Sequence, residues 1–489
     1  MALDPRSPVL IGSGQFLNRD GGSDPVSMMA TAVRQAADDA GLRAVPAAQA
    51  VRVVSLLTWR YGNAPLLLAE QLGISPADLG YTSNGGNSPQ SLVNATAGEI
   101  QRGELDIAIL AGGEASRTRK RARANGVELD WPKAPEGSLP RTIGKDVVMN
   151  HPAELERGIV MPVQVYPMFE TAIRAAASRS PEKHLDRISE LWSRFSTVAA
   201  RNPNAWIREA FSAETIRTAG PTNRMVGLPY PKLMNSNNDV DMAAALIVCS
   251  AERAEAMGVP RDRWIFIHSG VDCHEHQYMS NRWSFAETPA VRIGGRAALD
   301  LAGANIDDMA VVDLYSCFPA AVQLGASSLG LELDAQLTRT GGLSFAGGPW
   351  NNYVMHAIGT VMNDLRSQPS ERGFVWGNGG YTTKHAFGVY STEPPAAGYR
   401  HAHPQADIDA LPSRALATGT DAAGSVTIEA YTVMHGRDGA PETVLASTLL
   451  ADGRRAWGSS TDGSFAGDVC DGEWVGRAVT LDADGVLHA

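Results

Sequence analysis

Apolar and polar positions alternate in two rhythms along the chain. Val9-Leu10-Ile11 is a short apolar run leading into Gly12-Ser13-Gly14, and predicts a buried strand that ends in a glycine turn. Asp24-Pro25 then predicts a helix to about Gly41, with Val26, Met29, Ala30, Val33 and Ala37 at helical spacing. Val51–Leu57 reads as a strand, Leu66–Leu72 as a helix, Asn87-Ser88-Pro89 as the start of a helix to about Arg102, and Asp106–Ala111 as a strand ending at Gly112-Gly113. This alternation predicts an α/β class with βαβ units and a mostly parallel sheet.

From about Ser116 to Gly227 charged and aromatic residues increase. Helices are expected around Val165–Arg179 and Leu185–Ala200, so the segment reads as a largely helical insertion. Its basic run, Arg117 to Arg123, reads as a solvated face. A second α/β series follows: strand Asp241–Ser250, strand Trp264–Ser269, helix Val291–Ala302, strand Ala310–Leu314, helices Ala320–Leu329 and Val354–Leu365, and the strand-like, glycine-rich Gly373–Tyr390. The two series look like an internal duplication. Past Pro394, short alternating strands at Val426–Met434, Thr443–Leu450, Arg454–Ser459 and Arg477–Thr480 predict a small all-β barrel. The expected units are residues 1–115 with 228–272, the insertion 116–227, a second α/β unit 273–400, and the barrel 401–489.

Composition narrows the functional classes. The 489 residues are 44% hydrophobic and carry a formal charge of −11, which suits a large packed core and argues against general nucleic-acid binding. The four cysteines, Cys249, Cys273, Cys317 and Cys470, are far apart and form no CxxC pair, so a reducing, cytoplasmic setting is expected. No apolar run approaches the ~20 residues of a membrane span.

The chemistry concentrates at Asn84-Gly85-Gly86-Asn87-Ser88-Pro89-Gln90, where a strand turns sharply into a helix with Asn87 or Ser88 as its expected cap. That helix ends in Gly103-Glu104-Leu105-Asp106, followed by Ile107-Ala108-Ile109-Leu110-Ala111-Gly112-Gly113-Glu114. The stretch resembles the thiolases. In that family a nucleophilic cysteine stands at this helix start, where the dipole lowers a thiol pKa. Counting back from Gly103, the position falls on Gly86. Three further blocks resemble the family in order: Asp313-Leu314-Tyr315-Ser316-Cys317-Phe318, then Gly341-Gly342-Leu343-Ser344-Phe345-Ala346-Gly347-Gly348-Pro349 with Gly348 at the histidine position, then Gly377-Asn378-Gly379-Gly380 with Gly377 at the second cysteine.

The resemblance covers about residues 5–395. It is nearest to the sterol-carrier-type thiolases and to actinobacterial thiolase-like proteins called acetyl-CoA acetyltransferases, and the C-terminal strands resemble an OB-fold domain. It implies a duplicated five-layer αβαβα core with a helical insertion and a C-terminal OB-like barrel. It also implies acyltransferase-class activity on CoA thioesters in fatty-acid or sterol metabolism. Coenzyme A would enter as part of the substrate, with no covalently bound cofactor. The family's dimers form through the core sheets, and the extra domain leaves a monomer open. Glycine at all three catalytic positions excludes ping-pong thiolysis through Gly86. A retro-aldol lyase acting on a β-hydroxyacyl-CoA and a non-catalytic CoA-ester binder are the alternatives.

The candidate catalytic groups are Tyr315, as acid or oxyanion donor, with Ser316 beside it, and His356 and His385 as replacement bases. Gly86, Asn87, Ser88, Gly348, Asn378 and Gly379 are expected to hold the thioester, with backbone N–H groups at Gly86–Ser88 as an oxyanion hole. Cys317 reads as a buried structural thiol. Asp272-Cys273-His274-Glu275-His276 has metal-binding residue types, but adjacent donors on one loop do not make a tetrahedral set, so no metal is expected there. His401 and His403 read as linker residues.

Overall fold

Strand β1 (Pro8–Leu17) runs straight through Gly12-Ser13-Gly14, where the sequence predicted a turn. The glycines serve packing instead. Helix α1 (Pro25–Asp39) crosses the strand so closely that a Cβ on Gly12 or Gly14 would overlap the carbonyl oxygens of Ala36 or Ala32. Asp24 caps α1 by accepting from the N–H groups of Val26 and Ser27, and Pro25 opens its first turn. The computed structural model describes residues 3–489 and continues with β2 (Ala50–Val53), α2 (Ala64–Leu72), β3 (Asp78–Thr82), α3 (Ser88–Gln101) and β4 (Ile107–Ala115). β4 passes through Gly112-Gly113 rather than stopping there, since its ladder with the strand Asp241–Ser250 runs on to Ala115, and Gly112 makes room for the amide of Asn352. All nine of its residues are buried. Ile107, Ile109 and Ala111 face α1 and α2, while Ala108 and Leu110 face the opposite core, so the strand is covered on both sides.

The insertion contributes β5 (Arg141–Ile143), α4 (Pro162–Ala176) and α5 (Pro181–Arg201). Its basic run forms a mostly exposed helix, Ser116–Ala124, in which Lys120 pairs with Asp239 at 2.6 Å. The second series supplies β6 (Asp241–Ser250), β7 (Ile265–His274), α6 (Pro289–Leu301), β8 (Met309–Leu314), α7 (Pro319–Leu329), α8 (Tyr353–Ser367), β9 (Arg372–Gly379), β10 (Lys384–Ser391) and β11 (Arg400–Ala402).

The duplication suspected from sequence is explicit in the pairing. β2-β4-β6-β1 and β8-β9-β10-β7 have the same order, each with one parallel pair followed by two antiparallel pairs. A short antiparallel contact between β1 and β7 joins the halves into an eleven-stranded mixed sheet, with β3 and β5 extending one edge and β11 pairing with β7. α3 packs against strands of both halves and against α8. α1 and α2 cover one outer face, and α6 and α7 cover the other. The result is five layers, αβαβα.

The C-terminal sheet holds β12 (Gly424–His435), β13 (Pro441–Leu449), β14 (Arg455–Ser460), β15 (Ala478–Leu481) and β16 (Leu487–His488), with helix α9 (Gly463–Cys470) on one side. It is not the continuously closed barrel predicted from sequence. The path ends at β16, which meets β14 only through the Ser459–Val486 bridge. Residues Met225–Gly227 and Tyr230–Pro231, at the end of the insertion, join this sheet. Arg455, fully buried, ties it to the core by donating to the carbonyls of Met279, Ser280 and Arg282 while pairing with Glu429 at 2.8 Å. Among the described residues, no helix is long and apolar enough to cross a membrane.

Candidate functional site

Helix α3 begins between the two halves. Asn87 is at its cap position but makes no side-chain capping bond; its Nδ2 donates to Ser91 Oγ at 3.1 Å, and its buried Oδ1 has no partner. Ser88 donates its hydroxyl to the Ser83 carbonyl at 2.9 Å and its backbone N–H to the Gly85 carbonyl at 3.0 Å. Gly85 N–H donates to Asn351 Oδ1 at 3.1 Å. The expected oxyanion hole therefore has one N–H, that of Ser88, already committed to the turn.

The three glycines at family catalytic positions do not leave vacant side-chain space. A Cβ on Gly86 would overlap the Tyr315 hydroxyl and the Asn378 carbonyl. A Cβ on Gly348 would stand 2.7 Å from Asn238 Oδ1, and the Gly348 N–H already donates to the Asn237 carbonyl at 2.9 Å. A Cβ on Gly377 would stand 3.2 Å from Asn87 Cα. Gly379 is held equally close, 3.1 Å from the Gly86 nitrogen by the same measure. A side chain is thus shut out at Gly86, whereas at Gly348 and Gly377 the neighbouring groups would have to give way to admit one.

Tyr315 is buried edge-on to Tyr353, 5.7 Å between ring centres, and burial pushes its phenol well above its ordinary pKa. It can donate a proton and does not serve as a phenolate base. Ser316 is fully buried against the Tyr353 hydroxyl at 3.3 Å. Burial also pushes the Cys317 thiol up to about 12, and the thiols of Cys249, Cys273 and Cys470 are raised by burial too. Among the described residues no thiol is poised as a thiolate.

The two candidate histidines separate. His356 lies on α8 with Nδ1 at 3.0 Å from Gln15 Oε1, and burial lowers its pKa to about 3. The structure does not bring it to a cleft. His385 starts β10 and accepts from Trp376 Nε1 at its Nδ1, 3.2 Å away. Burial, then the positive charge of Arg282, holds its pKa well below the ordinary value. That bond places the proton of the neutral ring on Nε2, which has no partner. Asn378 donates its Nδ2 to the Tyr166 hydroxyl at 3.0 Å, leaving Oδ1 unpartnered.

His385 lines a cleft of about 650 Å³ that opens beside the first two turns of α3. Its walls include Ser83, Asn87, Ser88, Lys145 and Lys384. Lys384 was not singled out in the sequence, where it is one ordinary lysine after a glycine-rich loop. Its side chain is 7% exposed, its Nζ donates to the Asn84 carbonyl beside Gly85, and Asp146 is 3.8 Å away. Burial lowers its pKa, partly offset by Asp146. A cation and a helix N-terminus at one cleft wall form a setting for a carbonyl or an anion. The rim carries Asp272, His401 and His403. The two histidines expected in a linker belong to and follow β11, which pairs with β7.

Residues 404–486 match the family model described as thiolase-like protein type 1 additional C-terminal domain. The whole chain aligns with a solved structure described as a monomeric SCP2-thiolase-like protein type 1 from Mycobacterium smegmatis, at 30% identity, full coverage of both chains and a TM-score of 0.85. The chain belongs to the SCP2-thiolase-like protein type 1 family. More distant neighbours in fold are the Ltp2-ChsH2(DUF35) aldolase, at 18% identity over 79% of this chain and 98% of that one with a TM-score of 0.58, and human mitochondrial 3-ketoacyl-CoA thiolase, at 14% identity over 80% of this chain and 99% of that one with a TM-score of 0.58. No curated protein matches the sequence. The type 1 membership accounts for the thiolase core and for the added C-terminal sheet together.

Proposed function

We propose that this thiolase-like protein binds a CoA thioester in the cleft at the start of α3 and does not perform thiolysis. The observation that carries this reading is the Tyr315 hydroxyl standing in the volume that a nucleophile's side chain on Gly86 would require. Acyl transfer through a covalent intermediate needs an activated thiol, and all four thiols are raised rather than lowered. The cleft supplies a recess with a buried ammonium, Lys384, and the unpartnered groups of Asn87 and His385. A role in lipid or sterol metabolism is part of the same reading, and a monomeric state is supported by the monomeric relative from Mycobacterium smegmatis.

The neutral Tyr315 phenol favours a second reading, a retro-aldol lyase. A base would take the proton of a β-hydroxyl, the Cα–Cβ bond would break to give a carbonyl compound and a thioester enolate, and an acid would protonate that enolate. Tyr315 is the acid of this scheme, and His385, whose free Nε2 carries the ring proton, is a hydrogen-bond donor to the enolate oxygen.

The test combines calorimetric titration with mass spectrometry of a β-ketoacyl-CoA and β-hydroxyacyl-CoA panel, with and without free CoA. Binding without turnover is expected, weakened about tenfold in Lys384→Gln through loss of a charge-assisted bond. Cleavage of a hydroxy ester without free CoA establishes the lyase. Chain shortening that depends on free CoA overturns both readings.

A further inference from the structure

His401-Ala402-His403 puts two imidazoles two residues apart in extended chain, on one side of β11 and its continuation. The pairing of β11 with β7 sets His401 opposite Gly270 and Ala402 opposite Val271, next to Asp272. His401 Nε2 lies 2.8 Å from Asp272 Oδ2. His403 Nδ1 lies 3.1 Å from the Asp272 carbonyl oxygen, and the two rings meet edge to face at 4.4 Å. One donor atom from each of the three residues lies within 4.8 Å of the other two.

From these positions we infer a divalent transition-metal site, with Asp272, His401 and His403 as its three protein ligands and its fourth position open to the cleft. Two imidazoles and a carboxylate are the donor set of zinc-like ions and not of magnesium or calcium. A bond from His403 Nδ1–H to a backbone carbonyl fixes the ring's tautomer and leaves the Nε2 lone pair for the ion. The carboxylate is oriented from its other side: Ser91 Oγ donates to Oδ1, and Asn94 Nδ2 donates to Oδ2 at 2.9 Å. Ligand bonds of about 2.0–2.1 Å span the three donors after small side-chain movements, which two exposed histidines at the rim permit. Because the same cleft passes from this rim to Lys384 and His385, the open position faces the volume assigned to the ligand.

The test uses the full chain, stripped with a chelator and titrated with Co²⁺ alone. One equivalent with visible bands of four- or five-coordinate cobalt is expected, displaced by Zn²⁺, with Zn²⁺ raising the melting temperature. His401→Gln and His403→Gln should each weaken binding at least tenfold to a hundredfold. His488→Gln, which breaks an exposed histidine–aspartate pair elsewhere (His488–Asp482, 3.2 Å), should leave it unchanged. No 1:1 cobalt spectrum, or binding in both rim variants as tight as in the unaltered chain, overturns the site. CoA-ester binding is read separately, so either proposal can fail alone.

Discussion

Helices α3 and α8 hold corresponding places in the repeated strand order, and their starts differ. At α3, a 650 Å³ cleft opens beside Asn87, Ser88 and Lys384. At α8, the preceding loop is closed by contacts. Gly348 donates to Asn237, Asn351 reaches across to the Ser55 carbonyl at 2.9 Å, and Asn352 presses against Gly112. The first junction retains room for a ligand and the second has become core. This asymmetry separates two properties of the ancestral-looking site: the volume for side-chain chemistry is filled, while the recess beside the helix N-terminus survives. His356 and His385 illustrate it, one embedded behind the closed junction and the other on the wall of the open one.

The largest expected effect concerns the closed half. The folded pKa of His356, about 3, lies below the ordinary unfolded value of about 6.5. Between these values the unfolded chain binds a proton that the folded chain does not. Stability is therefore fully present above pH 6.5 and falls as pH drops toward 3, by about 2 kcal/mol at pH 5 and about 5 kcal/mol over the whole window. His356→Gln should remove this slope, measured as the urea midpoint against pH. An unchanged slope would place His356 in contact with water and undo the contrast between the halves.

Next in size is the attempt to rebuild the nucleophile. Gly86→Cys must displace both the Tyr315 hydroxyl and the Asn378 backbone and should cost about 1–3 kcal/mol as overpacking. Adding Tyr315→Ala should return part of that loss, giving a coupling of about 0.5–3 kcal/mol in a double-mutant cycle. No thiolysis is expected in either variant, since Gly348 and Gly377 still provide no acid or base. Additive costs would show that Tyr315 is not what fills the space.

The alternation of strand and helix, the insertion and the block order were legible in the sequence because each depends on local periodicity. What was not legible depends on contacts between distant segments. Gly12 and Gly14 look like turn residues, yet they admit the backbone of α1. Asn87 looks like a cap, and its amide is turned toward Ser91. Lys384 carries no motif, and only the fold places its ammonium beside Asn84. His401 and His403 read as linker because the parallel pairing of β11 with β7 has no local signature, although alternate histidines in an extended segment were a visible cue. The glycines at 86, 348 and 377 revealed the loss of chemistry, and the infill by Tyr315, Asn238 and Asn87 appears only in three dimensions.

The smallest effect gives the finest comparison between the junctions. At Gly377 the contact is tight but not prohibitive, with Asn87 Cα at 3.2 Å and the Asn87 oxygen and Gln90 Cβ at 3.5 Å. Gly377→Ala therefore requires the start of α3 to give way by a few tenths of an ångström, at a cost below about 1 kcal/mol. Because that helix start forms the cleft wall, CoA-ester affinity should fall by more than stability alone explains. Gly348→Ala meets only the movable Asn238 amide at 2.7 Å and borders no part of the cleft, so it should leave affinity unchanged. Equal affinity in both variants would mean that the open junction is not where the ester binds.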